Sequence, residues 1–307
     1  MSSKLEKDVA WKAASATGII TGANSGLGFE AARQVLQLGL RRLILAVRSQ
    51  NGGDVAAKKL TEEYPEAEIR VWIVDLADYD SVINFANRCK DLGRLDFVIL
   101  NAAVQLTSFI RNEKTGHEMT LQTNYLSTVL LVLLLARVMK ERKIREAGKP
   151  PVITAVGSDT MYLSKFETPG PILSTLDAEH VSPDDVIINV CNPGLTAGTG
   201  LGRDPQTKPG VAARLLVPIV IKALGRPLKV GASVYVHAVV AGGRESHGSF
   251  VSDWSVKPYA RLMYKQESHD ISERLWQETM EELRFASDSG FPELFTAGDH
   301  GNIDSRE

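Results

Sequence analysis

Eight residues, Thr21-Gly22-Ala23-Asn24-Ser25-Gly26-Leu27-Gly28, have the types and spacing to hold a pyrophosphate. They follow an apolar run, Ala16 to Ile20, and open a segment, Phe29 to Leu38, whose apolar residues recur at roughly helical spacing. Gly22 permits a sharp turn out of a strand, Gly26 a close approach of main chain to phosphate, and Gly28 close packing of the helix on the sheet. At the helix start, Ser25, Gly26, Leu27 and Gly28 carry N–H groups without intrahelical partners, and these face the phosphates. A glycine-rich loop by itself is often an ordinary turn. Its place between a strand and a helix is what makes it a dinucleotide signature.

The second chemical signal closes the second strand, Leu43 to Val47. An NAD-selective site usually ends this strand with an acidic residue that binds the adenosine ribose hydroxyls. Here Ala46 and Val47 are apolar and Arg48 follows. A guanidinium pairs with a 2′-phosphate, so NADP is the expected cofactor and NAD the less favoured one.

These residues need a sheet to carry them. Further strands are expected at Glu68 to Val74, Asp96 to Leu100, Val152 to Gly157, Val186 to Asn192 and Ser249 to Ser252. Helices are expected over Gly53 to Tyr64, from near His117 past Arg137, over Pro209 to Leu224 with a kink at Pro218, over Gly231 to Val240, and over Ile271 to Leu283. Val129 to Leu135 is apolar nearly all round, which requires burial on most sides. The expectation is an α/β fold: a Rossmann-type doubly wound parallel sheet in one domain over residues 16–286. An N-terminal arm (1–15) and a mobile, polar tail (287–307) flank it.

The spacing Gly-x-x-x-Gly-x-Gly after Thr21 resembles the cofactor loop of the short-chain dehydrogenases/reductases, and further matches run to about Trp254. The resemblance implies that Asp75 and Leu76 lie beside the adenine. It implies that Asn101 and Ala102 form the cofactor floor, with Ala103 where the family usually has glycine. It implies that Pro193, Gly194 and Leu195 lie beside the nicotinamide, with the hydroxyl of Thr196 or Thr199 on the carboxamide or a phosphate. Asn124 matches the asparagine that kinks its helix and holds a relay water. Ser158, after the fifth strand, matches the serine that hydrogen-bonds the substrate oxygen. The C-terminal segment with Arg274-Leu275-Trp276 resembles fungal members of secondary-metabolite pathways.

One part of the family pattern is missing. The family places a Tyr-x-x-x-Lys pair about a dozen residues after the serine. The tyrosine exchanges the proton, and the lysine, one helical turn on, lowers its pKa from about 10. None of the seven tyrosines has a lysine four residues later. Tyr162-Leu163-Ser164-Lys165 is the weak stand-in: it comes too soon after Ser158, its lysine follows at plus three, and Pro169 and Pro171 stop a helix. Fewer than thirty residues separate Ser158 from Val186. They hold one short helical candidate, Ile172 to His180, and a crossover usually carries a full helix. The join at His180–Val181 is where the catalytic helix would sit, so it reads as shortened or deleted. The rival reading is a catalytically inactive NADP-binding protein. The same helix often forms the family's dimer interface, which puts a homo-oligomer in doubt.

Composition narrows the alternatives. With 307 residues and 44% hydrophobic content, the chain can bury one large core. A net charge of −2 argues against a nucleic-acid binder. Two distant cysteines, Cys89 and Cys191, suit a reducing, cytoplasmic setting rather than a disulfide scaffold. Six scattered histidines give no metal-ligand spacing. The longest apolar run, Thr128 to Met139, is shorter than a bilayer span. The expected partner is a small-molecule substrate, its identity set by Tyr162 to His180 and Pro205 to Leu224.

Overall fold

The computed structural model describes residues 16–106, 108–141, 149–159, 162, 184–199 and 221–289. The expected arm, the Ile172 to His180 helix, residues 209–220 and all but the first residues of the tail lie outside these. Alternating strands and helices build one sheet: β1 Thr17–Thr21, α1 Gly26–Gln37, β2 Arg42–Val47, α2 Gln50–Glu63, β3 Glu68–Ile73, α3 Tyr79–Cys89, β4 Phe97–Leu100, α4 Met119–Glu141, β5 Val152–Val156, β6 Ile187–Asn192, α5 Leu228–Val240, β7 Phe250–Ser252, β8 Ser255–Lys257 and α6 Gln266–Glu282. The strand order is β3-β2-β1-β4-β5-β6-β7-β8, parallel except for β8. Its order reverses direction at β1, so the crevice beyond the carboxyl ends of β1 and β4 is where a doubly wound sheet takes ligands.

Every residue of β1 is buried, as a parallel strand covered on both faces must be. Ile19 joins the layer built from α3, α4 and Leu283; its neighbour Ile20 joins the layer of α1, α2 and α5. The cysteines are buried members of these layers. Burial pushes the Cys89 thiol up to about 12 and raises Cys191 as well, so both behave as small core residues.

Three features depart from the expectations. The helix α3 was not foreseen, although Asp78 caps it by accepting from the Asp80 N–H, and Val82, Phe85, Ala86 and Cys89 line its buried face. The last strand does not end the sheet: a two-residue turn at Asp253 and Trp254 (φ 50° and 56°) returns it as antiparallel β8. And α4 spans 23 residues and contains an 18-residue window of mean hydropathy 1.5, so it is long and apolar enough to cross a membrane, unlike the shorter run read from sequence. Two thirds of that apolar window is buried within the fold. Val129 through Ala136 are each no more than 5% exposed, which accounts for a helix apolar on every side.

Candidate functional site

At the carboxyl edge, Thr21 ties β1 to β4. Its hydroxyl oxygen accepts from the N–H groups of Asn101 and Ala102, each at 2.9 Å. In return, Asn101 Nδ2 donates to the Thr21 carbonyl at 2.9 Å. The turn that follows packs against this knot. Gly22 and Gly26 have φ of 66° and 57°, a region that side chains disfavour. A Cβ on Gly28 would lie 2.6 Å from both Asn101 Nδ2 and the Gly22 carbonyl oxygen. Gly28 is thus required by the turn and by the end of β4, in addition to the helix–sheet contact expected from sequence.

Ser25 precedes α1 in an extended conformation, and its side chain makes no capping hydrogen bond. No acidic residue stands in the first turn. The first N–H groups of α1 therefore keep their positive partial charge for an anion. This cradle, closed to a Cβ and uncapped at the helix start, fits a dinucleotide pyrophosphate.

Around it, Arg48 is exposed at the end of β2 and pairs with no acidic group among the described residues. Ser49 beside it caps α2, and the Asn24 amide approaches the same helix start at Gly52. Asp75 is half-buried, with a carboxylate oxygen accepting from the Ala77 N–H at 2.9 Å. The Leu76 side chain is in the core, so only its main chain stands at the edge.

The end of β6 is built by a residue that sequence reasoning passed over. Gly194 (φ 69°) lies against the Arg226 guanidinium, where a Cβ would approach Cζ to 3.0 Å. Arg226 pairs with Asp253 of the β7–β8 turn, and its N–H donates to the Leu195 carbonyl at 2.7 Å. Asn192 completes the corner, accepting from the Gly194 N–H at 3.1 Å and donating to Ser252 Oγ at 3.3 Å. Pro193 is buried and Leu195 exposed. Of the two candidate hydroxyls, Thr196 is buried and donates to the Gly194 carbonyl. Thr199 is half-buried at the end of the described segment.

Asn124 lies in a π-helical turn, Gln122–Leu126, inside α4. Such a turn is wider than the α-helix on either side of it. Its amide clamps the chain beyond β4: Oδ1 accepts from the Val104 N–H and Nδ2 donates to the Val104 carbonyl, both at 2.8 Å. The side chain thus fixes the segment running on from Asn101 and Ala102. Ser158 is exposed two residues beyond β5, on the same edge.

The model of the family described as short chain dehydrogenase matches residues 16–158. The short chain dehydrogenase virL of Hypocrea virens (strain Gv29-8 / FGSC 10586) is 45% identical over 298 residues, covering 88% of this chain and 86% of that protein. The chain belongs to the short-chain dehydrogenase family. Among solved structures, levodione reductase superposes with a TM-score of 0.60 at 19% identity, covering 78% of this chain and 96% of the other. L-sorbose reductase from Gluconobacter frateurii, complexed with NADPH and L-sorbose, gives 0.57 at 19%, covering 77% and 94%.

Tyr162 is exposed. Its hydroxyl donates to the Pro258 carbonyl at 2.6 Å, and its ring meets Phe250 edge-on at 6.2 Å. Partial burial, with Tyr264 and Asp159 nearby, raises its pKa. A tyrosine that exchanges a proton near neutrality needs the opposite shift. Tyr162→Phe is expected to lower stability by about 0.5–1.5 kcal/mol, the worth of one hydrogen bond, and to leave NADP affinity within about twofold. Denaturant unfolding and calorimetric titration of the variant measure the two effects.

Proposed function

We propose that this short-chain dehydrogenase is an NADP-dependent oxidoreductase acting on a carbonyl or secondary alcohol of a small organic substrate, as a tailoring step in secondary-metabolite biosynthesis. When bound, the nicotinamide would supply the hydride acceptor or donor. The interlock of Gly28, Asn101 and Thr21 beneath the uncapped start of α1 carries this reading. The resemblance assigns the remaining roles: Ser158 polarises the substrate oxygen, while the Pro193–Leu195 corner and Thr199 support the nicotinamide end. The NADPH held by L-sorbose reductase supports the cofactor assignment by similarity of fold.

The choice of NADP over NAD rests on Arg48. A charge-assisted hydrogen bond contributes about 1.5–3 kcal/mol, so Arg48→Ala is expected to weaken NADP binding by about 10- to 100-fold. NAD binding should change by less than about twofold, because NAD has no 2′-phosphate for Arg48 to meet. Titration of both cofactors into the variant measures this. Equal losses for the two would remove Arg48 from the selectivity site.

A second reading has its own observation. No tyrosine is followed four residues later by a lysine, which supports a chain that binds NADP without turning over a substrate. Thermal unfolding with NADP and with NAD tests the part common to both readings. Binding to the folded state adds about 2.7 kcal/mol at a hundredfold excess over Kd. A larger upward shift with NADP supports the site, and no shift with either cofactor rejects it. Turnover against a panel of carbonyl substrates then separates enzyme from binding protein.

A further inference from the structure

The π turn in α4 is tethered at four of its five residues. Gln122 Nε2 donates to Ser127 Oγ at 2.9 Å in the core, and the Thr123 carbonyl accepts from Thr128 Oγ1 at 3.1 Å. Asn124 holds Val104. The remaining tether is long-range: the Tyr125 hydroxyl and Thr279 Oγ1 are hydrogen-bonded at 2.8 Å, joining α4 to the C-terminal helix α6. Thr279 is 2% exposed and burial raises the pKa of Tyr125, so the bond is shielded from water.

The C-terminal helix is in turn fixed at its far end. Glu282 meets His117 Nε2 at 3.0 Å and accepts from the Tyr79 hydroxyl at 3.3 Å, and the Tyr79 ring packs on Phe285 at 4.9 Å. Leu275 is buried, and Trp276 and Met280 pack on the layer that contains α4. Thus Tyr125 is gripped by a helix whose own position is set by α3 and by the residues just before α4.

A π turn holds one residue more than the α-helical ladder accommodates, so it persists only where contacts outside the ladder favour it. Returning it to α geometry would rotate Asn124 relative to Tyr125 and release Val104. We infer that Thr279 and Tyr125 are positioning residues of the cofactor site. Through the π turn they hold the Asn124–Val104 clamp, and through the clamp they set the segment Asn101 to Val104. The C-terminal helix is on this account a part of the site. The inference rests on the proposed cofactor reading only for the meaning of that segment. The coupling itself is a property of the chain.

Hydrogen exchange of the full chain tests it, with three variants and no ligand. Thr279→Val removes the bond and keeps the side-chain shape. Tyr125→Phe removes it from the other side, where Thr279 can bond within its own helix. Thr279→Ser restores the hydroxyl. Exchange in a peptide covering 101–106 is expected to accelerate by about three- to tenfold in Thr279→Val and Tyr125→Phe, the effect of one lost hydrogen bond. It should return to the original rate in Thr279→Ser, with β1 unchanged throughout. NADPH affinity, read from nicotinamide fluorescence, should fall by a similar factor in the first two variants. Original exchange at 101–106 in either folded variant, or equal acceleration in β1, overturns the inference. If Thr279→Val does not fold, Tyr125→Phe decides. Failure of the cofactor reading shows differently, as an unsubstituted chain that does not bind NADPH while the exchange pattern still holds.

Discussion

Gly28→Ala will lower the stability of the chain by about 1–3 kcal/mol, the usual effect of overpacking, and will abolish the rise in unfolding temperature with NADP. The sign is what makes the experiment informative. Gly28 is the third residue of α1, and by helix propensity alone alanine would stabilise that position by up to about 1 kcal/mol. The contacts oppose it: the added methyl would meet Asn101 Nδ2 and the Gly22 carbonyl oxygen at 2.6 Å, and neither can yield cheaply. The Gly22 oxygen is main chain in a turn with positive φ. The Asn101 amide donates to Thr21, so displacing it breaks the bond that joins β4 to β1. The two effects have opposite signs and unequal sizes, and the clash is the larger. Gly93→Ala, where no atom lies within 4 Å of the new Cβ, is the matched control and should be neutral or slightly stabilising. Thermal unfolding of both variants with and without NADP gives the comparison. A Gly28→Ala chain as stable as the original, with its NADP shift intact, would mean that the cradle does not hold the pyrophosphate.

That loop was legible because its chemistry is local. A strand, three glycines at fixed offsets and a helix follow one another within 22 residues, and the glycines permit the backbone conformation of the turn. The core strands were legible for a related reason: parallel strands buried on both faces read as continuous apolar runs. The helix α3 carried equally local signals, an aspartate cap and a helical apolar spacing over Tyr79–Cys89, and could have been assigned from them.

What was illegible depends on residues distant in sequence. Asn124 could be found as a position but not as a clamp, because its partner Val104 is twenty residues away in a segment without a motif. Arg226 looks in the sequence like any surface arginine. Its meaning lies in Gly194 and Asp253, to which only the fold brings it. The β7–β8 turn lacks the glycine or asparagine that signals a two-residue hairpin. Asp253 and Trp254 adopt positive φ without that help, and the structure compensates through the Arg226 ion pair and a hydrogen bond from Trp254 Nε1 to Ser233 Oγ at 3.1 Å. Local propensity opposes this turn, and tertiary contacts decide it.

Inserting a Tyr-x-x-x-Lys helix between His180 and Val181 will raise turnover of a carbonyl substrate by about two to four orders of magnitude, the range that a positioned general acid contributes. Reduction of a carbonyl leaves negative charge on oxygen, and the step needs a donor whose pKa approaches the working pH. The chain as it stands offers none among its described tyrosines with a resolved shift. Burial raises the hydroxyls of Tyr64, Tyr79, Tyr125, Tyr162, Tyr235 and Tyr259 above their ordinary value. In an inserted helix the lysine lies one turn from the tyrosine on the same face, and its positive charge favours the phenolate and shifts the hydroxyl down. NADP affinity should rise only modestly, because the phosphate cradle and Arg48 are already present, so the gain should be concentrated in kcat. Steady-state kinetics of the two chains provide the comparison, with an inserted helix carrying phenylalanine for the tyrosine as control. If the unmodified chain already turns over as fast as the inserted one, a donor outside this scheme exists. Tyr162→Phe would then be the first variant to assay, since its hydroxyl is four residues from Ser158 and could turn from Pro258 toward a bound substrate.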